Sequence, residues 1–95
     1  MMFRFHPAAE DELNQAADYY EDQQTGLGLE FVEEVYLTIQ RIVEFPQAWT
    51  SLSKKSRRCM TNRFPYQVIY SIREESILIL AIGHLHRKPG YWQER

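Results

Sequence analysis

The strongest constraint on the fold is an apolar stripe in the first half of the chain. Its members recur mostly at steps of three and four residues: Leu27, Phe31, Val35, Thr38, Ile39, Ile42 and Phe45. This spacing is typical of an amphipathic helix that packs one face on a core. Pro46 ends the pattern, because proline does not continue a helix. We therefore predict a helix that begins at Leu27 and ends near Phe45.

A first helix is predicted immediately before this one. Pro7 suits the first helical position, where its missing N–H is not needed, and a weaker apolar stripe then extends to about Gln24. Residues 25–28 (TGLG) break the helix. Because the break is short, we expect the two helices to form an antiparallel hairpin. Weak alternation in residues 1–5 predicts a short strand ahead of the hairpin.

The second half of the chain has the pattern of strands. Residues 57–64 alternate in polarity, residues 67–72 are rich in β-branched and aromatic side chains, and residues 77–82 form a continuous apolar run. Such a run is typical of a central strand that is covered on both faces. Residues 47–56 are predicted to form an irregular loop.

These elements predict an α+β fold for a chain of 95 residues. The expected order is an N-terminal strand, a two-helix antiparallel hairpin and three further strands, with the hairpin packed on one face of a small, mainly antiparallel sheet. A chain of this length is expected to form one domain, residues 1–95. The opposite face of the sheet is expected to carry basic and aromatic groups.

Charged side chains are sorted along the sequence, although the net charge is only −2. Residues 1–50 contain two basic and ten acidic side chains, a balance of −8, whereas residues 51–95 contain nine basic and three acidic ones, a balance of +6. An anionic partner is one explanation, because binding to a polyanion depends on the local field. Attraction between the two halves within the fold is the other.

Several classes of protein are excluded. No apolar run approaches the roughly 20 residues of a membrane span, and no secretory signal pattern is present. Cys59 is the only cysteine, which excludes an internal disulfide and fits a cytoplasmic protein. We expect Cys59 to be a buried or half-buried strand residue, and a nucleophilic thiol among the neighbouring arginines is the alternative. His84 and His86 have no evident third ligand beside them, so no metal site is predicted. No nucleotide-binding or hydrolase motif is present, and no cofactor is expected.

One set of residues in the second half has functional character. It combines cations, imidazoles and aromatic rings: Lys54, Lys55, Arg57, Arg58, Arg63, His84, His86, Arg87, Lys88, Tyr91 and Trp92. If they converge on one concave face, the cations would hold phosphates and His86 or Tyr91 would move a proton. The two terminal rings would alternatively stack on bases or cover the core. A solvated sheet face without function is the remaining alternative.

The order of elements and several short strings resemble the toxins of type II toxin–antitoxin systems in the RelE/ParE superfamily. The strings are residues 5–10 (FHPAAE), 19–20 (YY), 28–31 (GLEF), 45–46 (FP), 63–70 (RFPYQVIY), 79–84 (ILAIGH) and 87–92 (RKPGYW). The resemblance implies a strand, two helices and three strands. It also implies a cognate antitoxin protein, a toxin–antitoxin hetero-oligomer, and growth arrest when the toxin is free.

Two activities occur among toxins of this kind. RelE-like members cut messenger RNA on the ribosome without a metal, and ParE-like members poison DNA gyrase. If the chain is a nuclease, the resemblance points to His86, Tyr91 and Arg63 as catalytic residues. The residues predicted to bind the target or its phosphates are Lys54, Arg57, Arg58, Arg63, Arg87 and Lys88.

The ParE-like branch is favoured. Gln67 and Leu85 occupy places where the nucleases carry arginine, and each lost donor costs several kcal/mol of transition-state stabilisation. Residues 64–66 (FPY) and 89–92 (PGYW) also look more like the ParE-like branch. We therefore expect a toxin that acts on DNA gyrase. A ribosome-dependent endoribonuclease and an inactive antitoxin-binding module are the alternatives.

Overall fold

The first helix begins where Pro7 predicts. In the computed structural model, which describes residues 1–95, β1 (Met2–Phe5) leads into α1 (Pro7–Gln23). The His6 Nδ1 atom accepts a hydrogen bond from the Ala8 N–H at 3.0 Å and so caps the helix. A capping side chain followed by proline therefore specifies the junction between strand and helix.

Glycines and one carboxylate form the short turn between the helices. α2 (Leu27–Glu44) begins after a residue with φ of +90°, Gly26, a conformation that favours glycine. The Glu21 carboxylate accepts hydrogen bonds from the Gly26 and Gly28 N–H groups at 3.0 Å, which satisfies free donors at the start of α2. A Cβ at Gly28 would lie 2.6 Å from the Ala17 carbonyl oxygen, so the helices approach closely there.

Five strands form one mixed sheet beneath the hairpin. β2 (Thr50–Ser51), β3 (Arg57–Met60), β4 (Tyr66–Arg73) and β5 (Ser76–His84) join β1 in the order β1-β5-β4-β3-β2. β1 pairs parallel with β5, and every other pair is antiparallel. The predicted α+β class and the mainly antiparallel sheet are confirmed.

Two strand boundaries differ from the prediction. Residues 47–56, predicted to be an irregular loop, contain β2, and a strand of two residues is too short to show alternation. β3 ends at Met60 rather than at residue 64. The Thr61 hydroxyl donates to the Phe64 carbonyl oxygen at 2.7 Å, and this local bond turns the chain away from the ladder.

Apolar side chains cover both faces of β5, as its continuous apolar run predicts. Ile77, Ile79 and Ile82 face the helices in a core of 14 buried residues. On the other face a smaller cluster contains Ile69, Leu78, Leu80, Ala81 and Trp92. A β-bulge makes Leu80 an extra residue between the pairs that β5 forms with Ile69 and Tyr70. Leu80 and Ala81 therefore both point away from the helices, and Trp92 folds back over them.

Cys59 is a buried strand residue with a free thiol, as the sequence predicts. Burial raises the pKa of the Cys59 thiol, against the Arg41 guanidinium, which lowers it. Neither helix combines the length and the apolar character that crossing a membrane requires.

Candidate functional site

Tyr91 lies over β5 with its hydroxyl group pressed against the backbone of Gly83. The hydroxyl occupies the space that a Cβ at Gly83 would need, so only glycine fits beneath this ring. The hydroxyl is buried and has no hydrogen-bond partner. Burial raises the pKa of Tyr91, and the negative charge of Glu12 raises it further, against Arg87 and Arg95, which lower it. Tyr91 therefore keeps its proton at neutral pH.

A carboxylate from the first helix organises the surroundings of Tyr91. Glu12, whose side chain is only 13% exposed, pairs with Arg87 at 2.8 Å and with Arg95 at 2.9 Å. Its Oε1 atom also accepts a hydrogen bond from the Ile82 N–H at 3.1 Å. The Arg87 guanidinium stacks on the Tyr91 ring, 3.5 Å from its centroid. We call Glu12, Arg87, Tyr91 and Arg95 the Glu12 cluster.

Arg63 is paired separately, at the loop between β3 and β4. Its guanidinium lies 2.8 Å from the Glu30 carboxylate of α2, and both side chains are largely exposed. The same guanidinium lies 5.3 Å from the centroid of the Phe64 ring. The positive charge of Arg63 is thus opposed by a helix carboxylate, as in the Glu12 cluster.

Two imidazoles lie at the C-terminal end of β5, one on its last residue and one just beyond it. The His84 and His86 rings are 5.2 Å apart, and the His84 Nδ1 atom accepts a hydrogen bond from the His86 N–H at 3.0 Å. The Tyr66 ring packs against the His84 ring at 5.3 Å, whereas His86 is exposed beside Arg87 and Lys88. No group of three side chains of the types that hold metals is close enough to do so.

Gln67, which the resemblance places at an arginine position of the nuclease toxins, is held within the sheet. It is 8% exposed, and its Oε1 atom accepts a hydrogen bond from Arg58 at 3.3 Å. The two residues belong to neighbouring strands, β4 and β3. Arg58 therefore has a polar partner inside the protein.

The remaining predicted cations lie at the opposite end of the sheet, where β4 turns into β5. Lys54 and Arg57 line a groove of about 780 Å³ together with Lys55 and Arg73. The Arg57 guanidinium donates to the carbonyl oxygens of Gln47 and Trp49, and none of the four forms an ion pair. We call these four residues and the space between them the lysine groove.

The structure therefore divides the residues that we expected to gather on one concave face. The register of β4 with β3 and β5 places Arg63, His84 and His86 at one end and the lysine groove at the other. The C-terminal segment then runs back over the sheet, so that Trp92 and Arg95 line a cavity with lysine-groove residues.

Sequence reasoning assigned no role to Glu12, Arg73 or Arg95. An acidic residue in the first turns of a helix normally indicates only a favourable interaction with the helix dipole. The neighbours of Glu12 in the sequence therefore did not predict its ion pairs with the C-terminal segment.

Family membership follows from a match over most of the chain. The family model described as ParE toxin of type II toxin-antitoxin system, parDE, matches residues 3–89. The chain belongs to the ParE toxin family. Among relatives, Toxin ParE2 of Mycobacterium tuberculosis is 36% identical over 91 residues, which are 92% of this chain and 84% of that protein.

Two solved structures share the fold of this ParE-family chain. The chromosomal ParDE system of P. aeruginosa has a TM-score of 0.74 at 18% identity, and the match covers 88% of this chain and 95% of that one. The isolated RelE toxin of E. coli has a TM-score of 0.66 at 15% identity, covering 98% of this chain and 93% of that one. These two likenesses show the fold, whereas the family model and the M. tuberculosis relative make the chain a ParE-like toxin of a type II toxin–antitoxin system and imply a cognate antitoxin.

Proposed function

We propose that this ParE-family toxin binds DNA gyrase and arrests growth when it is free of its antitoxin. The observation that carries the proposal is the state of the residues that RNA cleavage would use. Tyr91, Arg87 and Arg63 are each engaged within the fold, by burial or by a helix carboxylate. A toxin in this state is better suited to binding a target than to breaking a phosphodiester bond.

Proton transfer is the first step that this geometry disfavours. A general base works best when its pKa is close to the surrounding pH, but burial raises the pKa of Tyr91. The Tyr91 hydroxyl also faces the backbone of Gly83 rather than an open site. Tyr91 is therefore better described as a packing residue of the C-terminal segment.

Stabilisation of the phosphate charge is the second step of RNA cleavage that this geometry disfavours. A cleavage site needs cations aimed at the charge that develops in the transition state. The guanidinium groups of Arg63 and Arg87 are already opposed by carboxylates at 2.8 Å. Gln67, in place of an arginine, adds no charge and is held by Arg58. These contacts support the ParE-like activity.

The antitoxin is proposed to bind this toxin in a hetero-oligomer in the cytoplasm. Its binding segment would add a strand to the sheet or lie as an amphipathic helix in a groove. We expect acidic residues in that segment if it covers the unpaired cations. The chain, residues 1–95, is proposed to act as one domain in both its bound and its free form.

Supercoiling of relaxed plasmid by purified gyrase tests the proposed target. The free toxin should inhibit supercoiling in a dose-dependent manner, and an equimolar amount of antitoxin should restore it. Unchanged supercoiling at saturating toxin would contradict the proposal. The toxin–antitoxin complex is the matched control, since it contains the same chain with its partner bound.

A RelE-like endoribonuclease is the second candidate, because the exposed His86 imidazole beside Arg87 and Lys88 is accessible to substrate. Primer extension on translated messages after induction separates the two. Cuts at fixed codon positions that disappear in His86→Gln would favour the nuclease. Normal growth after induction without antitoxin would instead favour an inactive antitoxin-binding module.

A further inference from the structure

The lysine groove lies apart from the residues that a toxin of this fold would use for cleavage. It occupies the end of the sheet at the β4–β5 turn, whereas Tyr91, His86 and Arg63 lie over or beyond the other end. Its lining includes four cations and four serines but no carboxylate. Neither the cleavage residues nor the Glu12 cluster accounts for such a concentration of positive charge.

Serine hydroxyl groups build the loop that presents the two lysines. The Ser53 and Ser56 hydroxyls are hydrogen-bonded at 2.8 Å, and the Ser53 Oγ atom accepts the Lys55 N–H at 3.2 Å. The Leu52 N–H closes the turn by donating to the Ser56 carbonyl oxygen at 2.9 Å. Lys54 and Lys55 are consequently exposed at the tip of a defined turn.

The charge of the lysine groove is not neutralised within the protein. Arg57 donates to main-chain carbonyl oxygens, and the Arg73 Nε atom donates to the Ser71 hydroxyl at 2.8 Å, so both have neutral partners. Glu74 and Glu75 follow Arg73 in the turn but form no ion pair with it. Four unopposed cations around one groove create a local positive field in a protein whose net charge is −2.

A second cavity adjoins the lysine groove but adds no free cation. It has a volume of about 400 Å³, shares Lys54, Lys55 and Arg73 with the groove, and continues to Trp92 and to Arg95, which is paired with Glu12. The four free cations therefore belong to the groove itself, and a single phosphate would not need all four cations of this groove. Successive phosphates of a nucleic-acid backbone would engage them, because such contacts are made mainly by lysine, arginine and small hydroxyl side chains.

Aromatic side chains decide between double-stranded and single-stranded ligands. Proteins that bind single strands stack bases on accessible rings. The rings beside the two cavities are Tyr70, which is fully buried, and Trp92, which is 7% exposed. Neither ring is available to a base, so the groove is suited to a backbone whose bases are already paired.

We propose that the lysine groove binds the phosphate backbone of double-stranded DNA. The choice of DNA over duplex RNA rests on the proposed action on gyrase, whose substrate is DNA. Contacts with phosphates release condensed counterions, so binding should weaken steeply as salt is raised. Because the net charge of the chain is negative, the net charge alone would predict repulsion from DNA, and binding depends on the local field of the lysine groove.

Fluorescence anisotropy of a labelled DNA duplex with the purified toxin alone tests the proposal. If all four cations contact phosphates, the slope of log K against log salt should be about −3 to −4, since each contact contributes about −0.9. Arg73→Ala should weaken binding about threefold to fivefold and reduce that slope by about one. Lys54→Ala should have a similar effect.

Arg4→Ala is the matched control. Arg4, like Arg73, is an exposed arginine hydrogen-bonded to a serine hydroxyl, that of Ser76 at 3.2 Å, but it lines neither cavity. Arg4→Ala removes the same unit of charge from a position beside the groove, because Ser76 also donates to the Arg73 carbonyl oxygen at 3.1 Å. It should therefore weaken binding less than Arg73→Ala and leave the salt slope unchanged. Equal weakening by Arg4→Ala and Arg73→Ala would show a general charge effect and overturn the site.

Other ligands complete the test. Absence of duplex binding at low salt, tighter binding to a single strand, or equal or tighter binding to an RNA duplex of the same sequence would each overturn the proposal. The assay contains no gyrase, so its failure is distinguishable from failure of the gyrase proposal. If the toxin binds DNA but leaves supercoiling intact, the DNA-binding role of the lysine groove would be supported and the proposed action on gyrase would be contradicted.

Discussion

The Glu12 cluster and the lysine groove are built from similar cations but differ in what opposes them. In the Glu12 cluster, one carboxylate from α1 holds two arginines within 2.9 Å. In the lysine groove, four cations have no carboxylate partner. The same side-chain type therefore fastens the C-terminal segment in one place and remains free for a ligand in the other. The difference teaches that the helix carboxylates determine which cations form ion pairs within the fold, namely Arg63, Arg87 and Arg95.

A fully buried tyrosine, Tyr70, and a half-buried one, Tyr91, repeat the contrast. The Tyr70 hydroxyl, beside the lysine groove, donates a hydrogen bond to the Pro46 carbonyl oxygen. The Tyr91 hydroxyl, in the Glu12 cluster, is buried without a partner. Burial raises the pKa of both, to about 12 for Tyr70. The Tyr70 hydroxyl is thus hydrogen-bonded within the core, whereas Tyr91 contributes mainly the packing of its ring and its hydroxyl has no hydrogen-bond partner.

Removing the charge of Glu12 should give the largest effect. Glu12→Gln leaves Arg95, whose side chain is only 16% exposed, without a carboxylate, and we expect a loss of about 2 to 3 kcal/mol in the free energy of unfolding. Urea unfolding measures the loss. Glu30→Gln is the control, because an exposed pair contributes only about 0.5 kcal/mol. Equal losses in both variants would remove the distinction between the two carboxylates.

Filling the space under Tyr91 should have the next largest effect. Gly83→Ala places a methyl group where the Tyr91 hydroxyl lies, and overpacking of this kind costs about 2 kcal/mol. Because the Tyr91 hydroxyl is the closest atom, the double variant with Tyr91→Phe should recover part of the loss in thermal unfolding. Full additivity of the two changes would contradict this contact.

The two phenols should respond differently to loss of the hydroxyl. Tyr70→Phe removes a hydrogen bond to Pro46 and should cost about 1 kcal/mol. Tyr91→Phe removes an unpartnered polar atom and should be neutral or slightly stabilising. Chemical unfolding of both variants at neutral pH checks the comparison. A larger loss for Tyr91→Phe would mean that its hydroxyl has a partner in solution.

The ionisation of Tyr70 makes the stability of the protein depend on pH in the alkaline range, and this dependence tests the contribution of its hydroxyl in a second way. The pKa of Tyr70 is raised from 10.0 to about 12 in the folded protein. Its contribution to stability is therefore complete below pH 10.0 and is lost as the pH rises towards about 12. The stability advantage of the wild type over Tyr70→Phe should shrink over that range and then reverse, because a pKa shift from 10.0 to about 12 outweighs a hydrogen bond that contributes about 1 kcal/mol. A gap that stays constant would show that Tyr70 does not cause the alkaline loss.

Much of the fold was predictable, because local periodicity reports burial directly. The stripe from Leu27 to Phe45 predicted α2, and Pro7 predicted the start of α1. The apolar run of β5 predicted a strand covered on both faces. β2 was missed because two residues carry no period, and the end of β3 was misplaced because the Thr61 hydroxyl forms a local turn.

The candidate site was predictable only as a set of residue types. The sequence by itself determined the element order, the core stripes and the concentration of cations after residue 50, since these depend on neighbours in the chain. Only the tertiary structure decided which cations are free. Glu12 meets Arg87 and Arg95 across more than 70 positions, and Glu30 meets Arg63 across 33. Charge pairing over such distances is set by strand register and helix docking, which no local pattern encodes.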